Sequence, residues 1–94
     1  MIRSFGNRDT EHIWQGKYVR SIDRTVQRKA LRKLELIHAA KEVSDLQIPP
    51  GNRLERLIGD RRGQYSIRVN AQWRICFIWR KGGGVDDVEL VDNH

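Results

Sequence analysis

Between Asp23 and Val43 the chain carries no glycine or proline, and Val26, Ala30, Leu34 and Ile37 recur at three- and four-residue intervals with Leu31 beside them. That spacing gathers apolar side chains on one stripe, so it predicts a long amphipathic helix over about residues 23–43. The opposite side of this helix carries Arg24, Arg28, Lys29, Arg32, Lys33 and Lys41, which reads as a solvated face or as a contact for nucleic acid or protein. Asp23 stands near its N-terminal end, where negative charge complements the helix dipole. Upstream, Ile2 to Phe5 reads as a short strand, and Asn7 or Asp9 is positioned to cap a brief helix running through His12, Ile13 and Trp14.

Pro49-Pro50-Gly51 continues neither a helix nor a central strand, so the preceding segment ends there. Beyond it the period changes. Tyr65 to Asn70 and Trp73 to Arg80 alternate apolar and polar residues, Gly82-Gly83-Gly84 forms a turn, and Val85 to Val91 supplies a last strand. A three-residue loop at Asn70-Ala71-Gln72 would pair Val69 with Trp73 and set Arg68 opposite Arg74. Tyr65, Ile67, Val69, Trp73, Ile75 and Phe77 then form the core side. The expectation is an α+β fold, with helices packed on one face of a small curled antiparallel sheet.

Length limits this plan to one domain over 1–94, since 94 residues are too few for two cores. With 38% hydrophobic and 32% charged residues the chain has a folded, globular composition. No apolar run approaches the roughly 20 residues needed to cross a bilayer, and the first residues lack a signal-peptide stretch, so a cytoplasmic protein without membrane contact is expected. Cys76 sits inside an apolar strand pattern and reads as a small buried side chain.

A net charge of +6 and an isoelectric point near 10.1 call for an acidic partner. Beyond Asp45 the basic residues are seven arginines and one lysine, and planar guanidinium groups grip phosphate through paired donors where an ammonium acts as a point charge. Arg68 and Arg74 are the sharpest case. Like charges opposed across a ladder cost up to about 1 kcal/mol, so the pair implies either an anion between them or separate carboxylate partners such as Asp86, Asp87 or Glu89. Arg53, Arg56, Arg61 and Arg62, around Gly59-Asp60, border the same region and are candidate phosphate ligands, with Asp60 and Glu55 as local neutralisers. Asp92 and His94 lie two residues apart, on one side of an extended strand, and an imidazole suits proton transfer near neutral pH. His12 and His38 read as structural. No spacing of histidine and cysteine fits a metal site, the triple glycine lacks the lysine of a phosphate loop, and no cofactor is expected.

The opening Met1-Ile2-Arg3-Ser4-Phe5, Pro49 to Glu55, Gly59-Asp60-Arg61, Ser66 to Asn70, Gln72-Trp73-Arg74 and the terminal Asp92-Asn93-His94 together resemble the HigB toxins of the RelE/ParE superfamily, over nearly the whole chain. The resemblance implies a RelE-like fold, a HigA-type helix-turn-helix antitoxin as partner, and ribosome-dependent cleavage of messenger RNA in the A site of the 30S subunit, by attack of the 2′-hydroxyl without a metal. It further implies that Arg74 stabilises transition-state charge, that Arg68 binds phosphate beside it, and that His94 transfers a proton with Asp92 orienting it or its substrate. Two positions depart from the family pattern: Asn93 stands where a tyrosine is common, and Ile58 where some members have lysine. The departures imply either weaker catalysis or Tyr65 as the replacement stacking surface for a base. The superfamily leaves two other functions open: ParE-like inhibition of DNA gyrase without catalysis, and an inactive corepressor partner of a DNA-binding antitoxin.

Overall fold

The structure, a computed structural model, describes residues 1–92. Helix α1 spans Arg8–Trp14, and of its two possible caps Asn7 serves: its Oδ1 accepts from the Thr10 amide at 2.9 Å and from the Thr10 hydroxyl at 2.6 Å. That same fully buried hydroxyl accepts from the Leu90 amide at 2.9 Å, so the cap also anchors the helix to the last strand.

Helix α2 spans Arg24–Ala39, with the Asp23 carboxylate accepting from the Thr25 amide at 2.7 Å. It buries Val26, Ala30, Leu34 and Ile37, as the periodicity requires, and Leu31 packs against them. The helix stops short of Val43. Ala40 turns extended, and the amides of Lys41 and Glu42 both donate to the Asp45 carboxylate, at 3.0 and 3.1 Å, which starts a separate 3-10 turn at Val43–Gln47. A local side-chain acceptor thus competes with helix continuation.

Four antiparallel strands follow, β1 (Glu55–Arg56), β2 (Tyr65–Arg68), β3 (Trp73–Trp79) and β4 (Val85–Asp92), in that spatial order. The hairpin register is the expected one: Arg68 pairs with Arg74, Ile67 with Ile75, Tyr65 with Phe77. The opening segment joins the sheet by two parallel bridges to β4, Ile2 to Val85 and Phe5 to Val88, rather than as a full strand. Pairing partners share a face, so the sheet has two distinct sides. Ile67, Ile75, Phe77 and Val88, all fully buried, meet Leu34 and Ile37 of α2; each such side chain stabilises the fold by about 1.5–3 kcal/mol. The other side carries Glu55, Ser66, Arg68, Arg74, Cys76 and Glu89.

His38 is structural, as expected: its Nδ1 accepts from the Ile2 amide at 3.1 Å and its ring centroid lies 5.0 Å from that of Trp14. Among the described residues no helix is long and apolar enough to cross a membrane.

Candidate functional site

On the side of the sheet away from the helices, β1 extends the sheet as the strand beside β2, Glu55 opposite Ser66, and the residues that follow it, Leu57 to Arg61, border that face. Between that segment and the sheet face lies a cleft of about 400 Å³, bordered by Glu55, Ile58, Asp60, Arg61, Arg74 and Asp92, among others.

Arg74 is its most constrained cation, with a side chain only 14% exposed. Nε and Nη2 donate to the Ser66 hydroxyl at 3.0 and 2.7 Å, Nη2 also donates to the Arg53 carbonyl at 3.3 Å, and Glu55 Oε1 lies 3.6 Å from Nη2. Ser66 is fully buried, so its hydroxyl can fix the guanidinium plane without competition from water. Nη1 donates to no described residue, which leaves that edge for an incoming oxygen.

Arg61 stands beside it, donating to Gln64 at 3.1 Å and to Glu89 at 3.4 Å. The cleft is therefore mixed in charge, not simply basic. Glu55, Asp60 and Asp92 face two guanidinium groups. Beneath them Cys76 is 3% exposed, and burial pushes its thiol above the ordinary range, which makes it a poor nucleophile.

None of the carboxylates named from sequence for the Arg68–Arg74 pair serves it. Asp86 accepts from Arg80 at 2.9 Å, and Glu89 holds Arg61. Glu55 serves Arg74 instead because the short β1 brings it across β2. Arg68 lies opposite Arg74 on the same face, yet among the described residues it has no hydrogen-bond or ionic partner.

The other sequence candidates divide. Arg53 contributes its carbonyl, from a backbone at φ 44°, while its side chain is exposed, as is that of Arg62. Arg56 and Tyr65 pair with each other and so share the opposite side of the sheet; the guanidinium sits 5.9 Å from the Tyr65 ring, which stacks on Phe77 at 6.2 Å. Tyr65 is therefore not brought to the Arg74 cleft. Asp92, opposite Trp73, accepts from Gln72 Nε2 at 3.1 Å at the end of the cleft. His94 lies outside the described residues. Among those described, no cluster of histidine, cysteine and carboxylate groups could hold a metal ion.

A family model described as the RelE-like toxin of the type II toxin-antitoxin system HigB matches residues 3–94. The chain belongs to the HigB-like toxin family. It is 49% identical to Toxin HigB-1 of Vibrio cholerae serotype O1 over 83 residues, 87% of each chain. An uncharacterized protein of Haemophilus influenzae is 46% identical over 46 residues, 49% of this chain and 46% of that one. Two solved YoeB–YefM toxin–antitoxin complexes from Staphylococcus aureus share the fold, with TM-scores of 0.61 and 0.59 at 15% and 14% identity, each over all of this chain and 98% of the matched one. The RelE-like architecture expected from the sequence is the one observed.

Within this HigB-like frame two cleft residues escaped sequence reasoning as site groups, Glu55 and Ser66. Ser66 does carry a signal: a hydroxyl two residues before Arg68 on the arginine-bearing face of a strand is placed to meet Arg74 diagonally. For Glu55 the strand is two residues long, and nothing in its pattern announces pairing. Ile58, the position at which some family members carry lysine, stands at the cleft mouth and is 88% exposed.

Proposed function

We propose that this HigB-like toxin is a ribosome-dependent messenger-RNA endonuclease acting in the 30S A site, in the cytoplasm, neutralised by an antitoxin of the HigA helix-turn-helix type. The observation that carries the reading is the immobilised Arg74 guanidinium, held by a buried hydroxyl with one edge open to a cleft that also contains carboxylates.

The chemistry requires a 2′-oxygen to lose its proton and bond to phosphorus while the 5′-oxygen leaves and gains a proton. Arg74, joined by Arg68 or Arg61, balances the charge that builds on the phosphoryl oxygens. A preorganised donor is worth most here, because it needs no reorientation at the moment of reaction. Glu55 is a carboxylate within reach of the same phosphate and is suited to take the 2′-proton; Asp92 and His94 serve the leaving oxygen. Arg53 and Arg62, both exposed, engage flanking phosphates, and Arg56 with Tyr65 forms a separate contact on the far side of the sheet.

The mixed charge of the cleft favours ribosome dependence. Free RNA meets guanidinium groups already compensated by Glu55 and Glu89, so binding depends on the ribosome to present the message. Primer extension on ribosome-bound message tests the proposal. Cuts in translated message and none in naked RNA are expected, with Arg74→Ala and His94→Ala each lowering cleavage in a folded protein. No cutting by the wild type, alongside an active HigB control, rejects it; inhibition of gyrase supercoiling would then favour the non-catalytic reading.

A further inference from the structure

A second concavity lies on the helical side of the molecule, away from Arg74. It has a volume of about 290 Å³ and is bordered by Ile13, Lys17, Tyr18, Arg24, Arg28 and Leu31, among others. The chain builds it deliberately. After α1, Gly16 turns at φ 81°, and the following loop is pinned by Gln27 of α2, whose amide accepts from the Val19 amide at 2.9 Å and donates to the carbonyls of Val19 and Ile22 at 2.7 and 2.6 Å. With Gln27 fully occupied, the apolar surface of the floor comes from half-buried Leu31, beside Ile13 of the core.

The charged side chains that border it are all cationic. Arg24 and Arg28 stand one turn apart on α2, in line with Leu31, and Lys17 faces them from the loop. Among the described residues none of the three has a carboxylate partner. Arg24 instead covers the Tyr18 ring at 4.8 Å, and Tyr18 is 56% exposed, a large aromatic ring turned toward solvent.

We infer that this groove is a docking site for an acidic protein segment bearing an apolar anchor, supplied by the antitoxin. The inference rests on the reading of the chain as an antitoxin-regulated toxin. The anchor would cover Leu31 and the Tyr18 ring, while carboxylates meet Lys17, Arg24 and Arg28. Charge complementarity selects the occupant: three unpaired cations around an apolar floor match a segment that alternates acidic and apolar side chains. Because the groove and the Arg74 cleft lie on opposite sides of the sheet, an occupant here leaves the cleft uncovered.

The test uses the full chain and the antitoxin encoded beside it, with affinity measured by calorimetry and ribosome-dependent cleavage measured separately. Lys17→Glu with Arg28→Glu is expected to weaken antitoxin binding at least about tenfold and flatten its salt dependence. Tyr18→Ala should weaken it less, and both variants should keep the wild-type circular dichroism spectrum and cleavage. Unchanged affinity in the folded double variant overturns the inference, as does a wild type that does not bind the antitoxin. Loss of cleavage with antitoxin affinity retained would instead mark the groove as an RNA or ribosome contact and also overturns it. If the wild type binds antitoxin but cuts no message, the nuclease reading fails while the binding result still decides the groove.

Discussion

The two concavities treat their cations in opposite ways. In the cleft, Arg74 is 14% exposed and tied to Ser66, the Arg53 carbonyl and Glu55, while Arg61 is tied to Glu89. In the helical groove, Lys17, Arg24 and Arg28 are exposed and have no carboxylate among the described residues. A cation needed for chemistry must hold one geometry before its substrate arrives, and internal anions and a buried hydroxyl supply that. A cation that recruits a partner gains from remaining uncompensated, because its long-range field then acts on the approaching surface. Location of charge alone does not separate the two uses; pairing marks Arg74 and Arg61, while Arg68 on the same sheet face shares the unpaired state of the groove cations.

The sharpest break of this contrast is Arg74→Ala, expected to lower ribosome-dependent cleavage about 1,000-fold, near the cost of removing a preorganised donor from a developing oxyanion. Arg24→Ala should leave cleavage within about twofold, since an exposed arginine of the groove holds no reacting atom. Equal losses in the two variants would dissolve the distinction. Next comes Glu55→Gln, which keeps size but removes the proton acceptor and one anion. Cleavage should fall about 100-fold, while binding of a short RNA in fluorescence anisotropy should tighten because Arg74 loses its competitor. Weaker RNA binding in this variant would contradict the compensated-cleft reading.

Ser66→Ala should reduce cleavage by about tenfold, from the loss of charge-assisted hydrogen bonds that orient Arg74. The reduction should fall on kcat more than on KM. A matching rise in KM would mean that Ser66 matters for binding instead.

The smallest effect tests pairing at an exposed site. Hydrogen bonding from Arg80, aided by Ser4, holds the Asp86 carboxyl below its ordinary value against partial desolvation. A carboxyl depressed in the folded state stabilises the fold above its unfolded pKa, and this contribution is lost as pH falls through the lower, folded value. Carbon-detected NMR titration should show Asp86 moving upward in Arg80→Ala, with the lost contribution confined to the acidic range. An unchanged titration would remove Arg80 as the cause.

Much of the sheet was legible because its pattern is periodic and its loop short. Asn70-Ala71-Gln72 fixed the pairing of Arg68 with Arg74, and alternation then assigned Ile67, Ile75 and Phe77 to the core. Two features resisted for physical reasons. Helix α2 ends at Ala39 because Asp45, beyond the apolar stripe, draws the amides of Lys41 and Glu42 to itself. Glu55 reaches Arg74 only through tertiary pairing of a two-residue strand, below the length at which alternation carries information. Tyr65 illustrates the reverse case: alternation already assigned it to the core side, and the structure stacks it there on Phe77.

Strand β4 lies between β3 and the opening residues, and the Leu90 amide fastens to the Thr10 hydroxyl. Of all the described elements it is the last to leave the peptide-exit tunnel, yet the opening residues and both helices depend on it for a surface to pack on. A growing chain therefore lacks Val85, Val88 and Leu90, three members of its core, until β4 has been made.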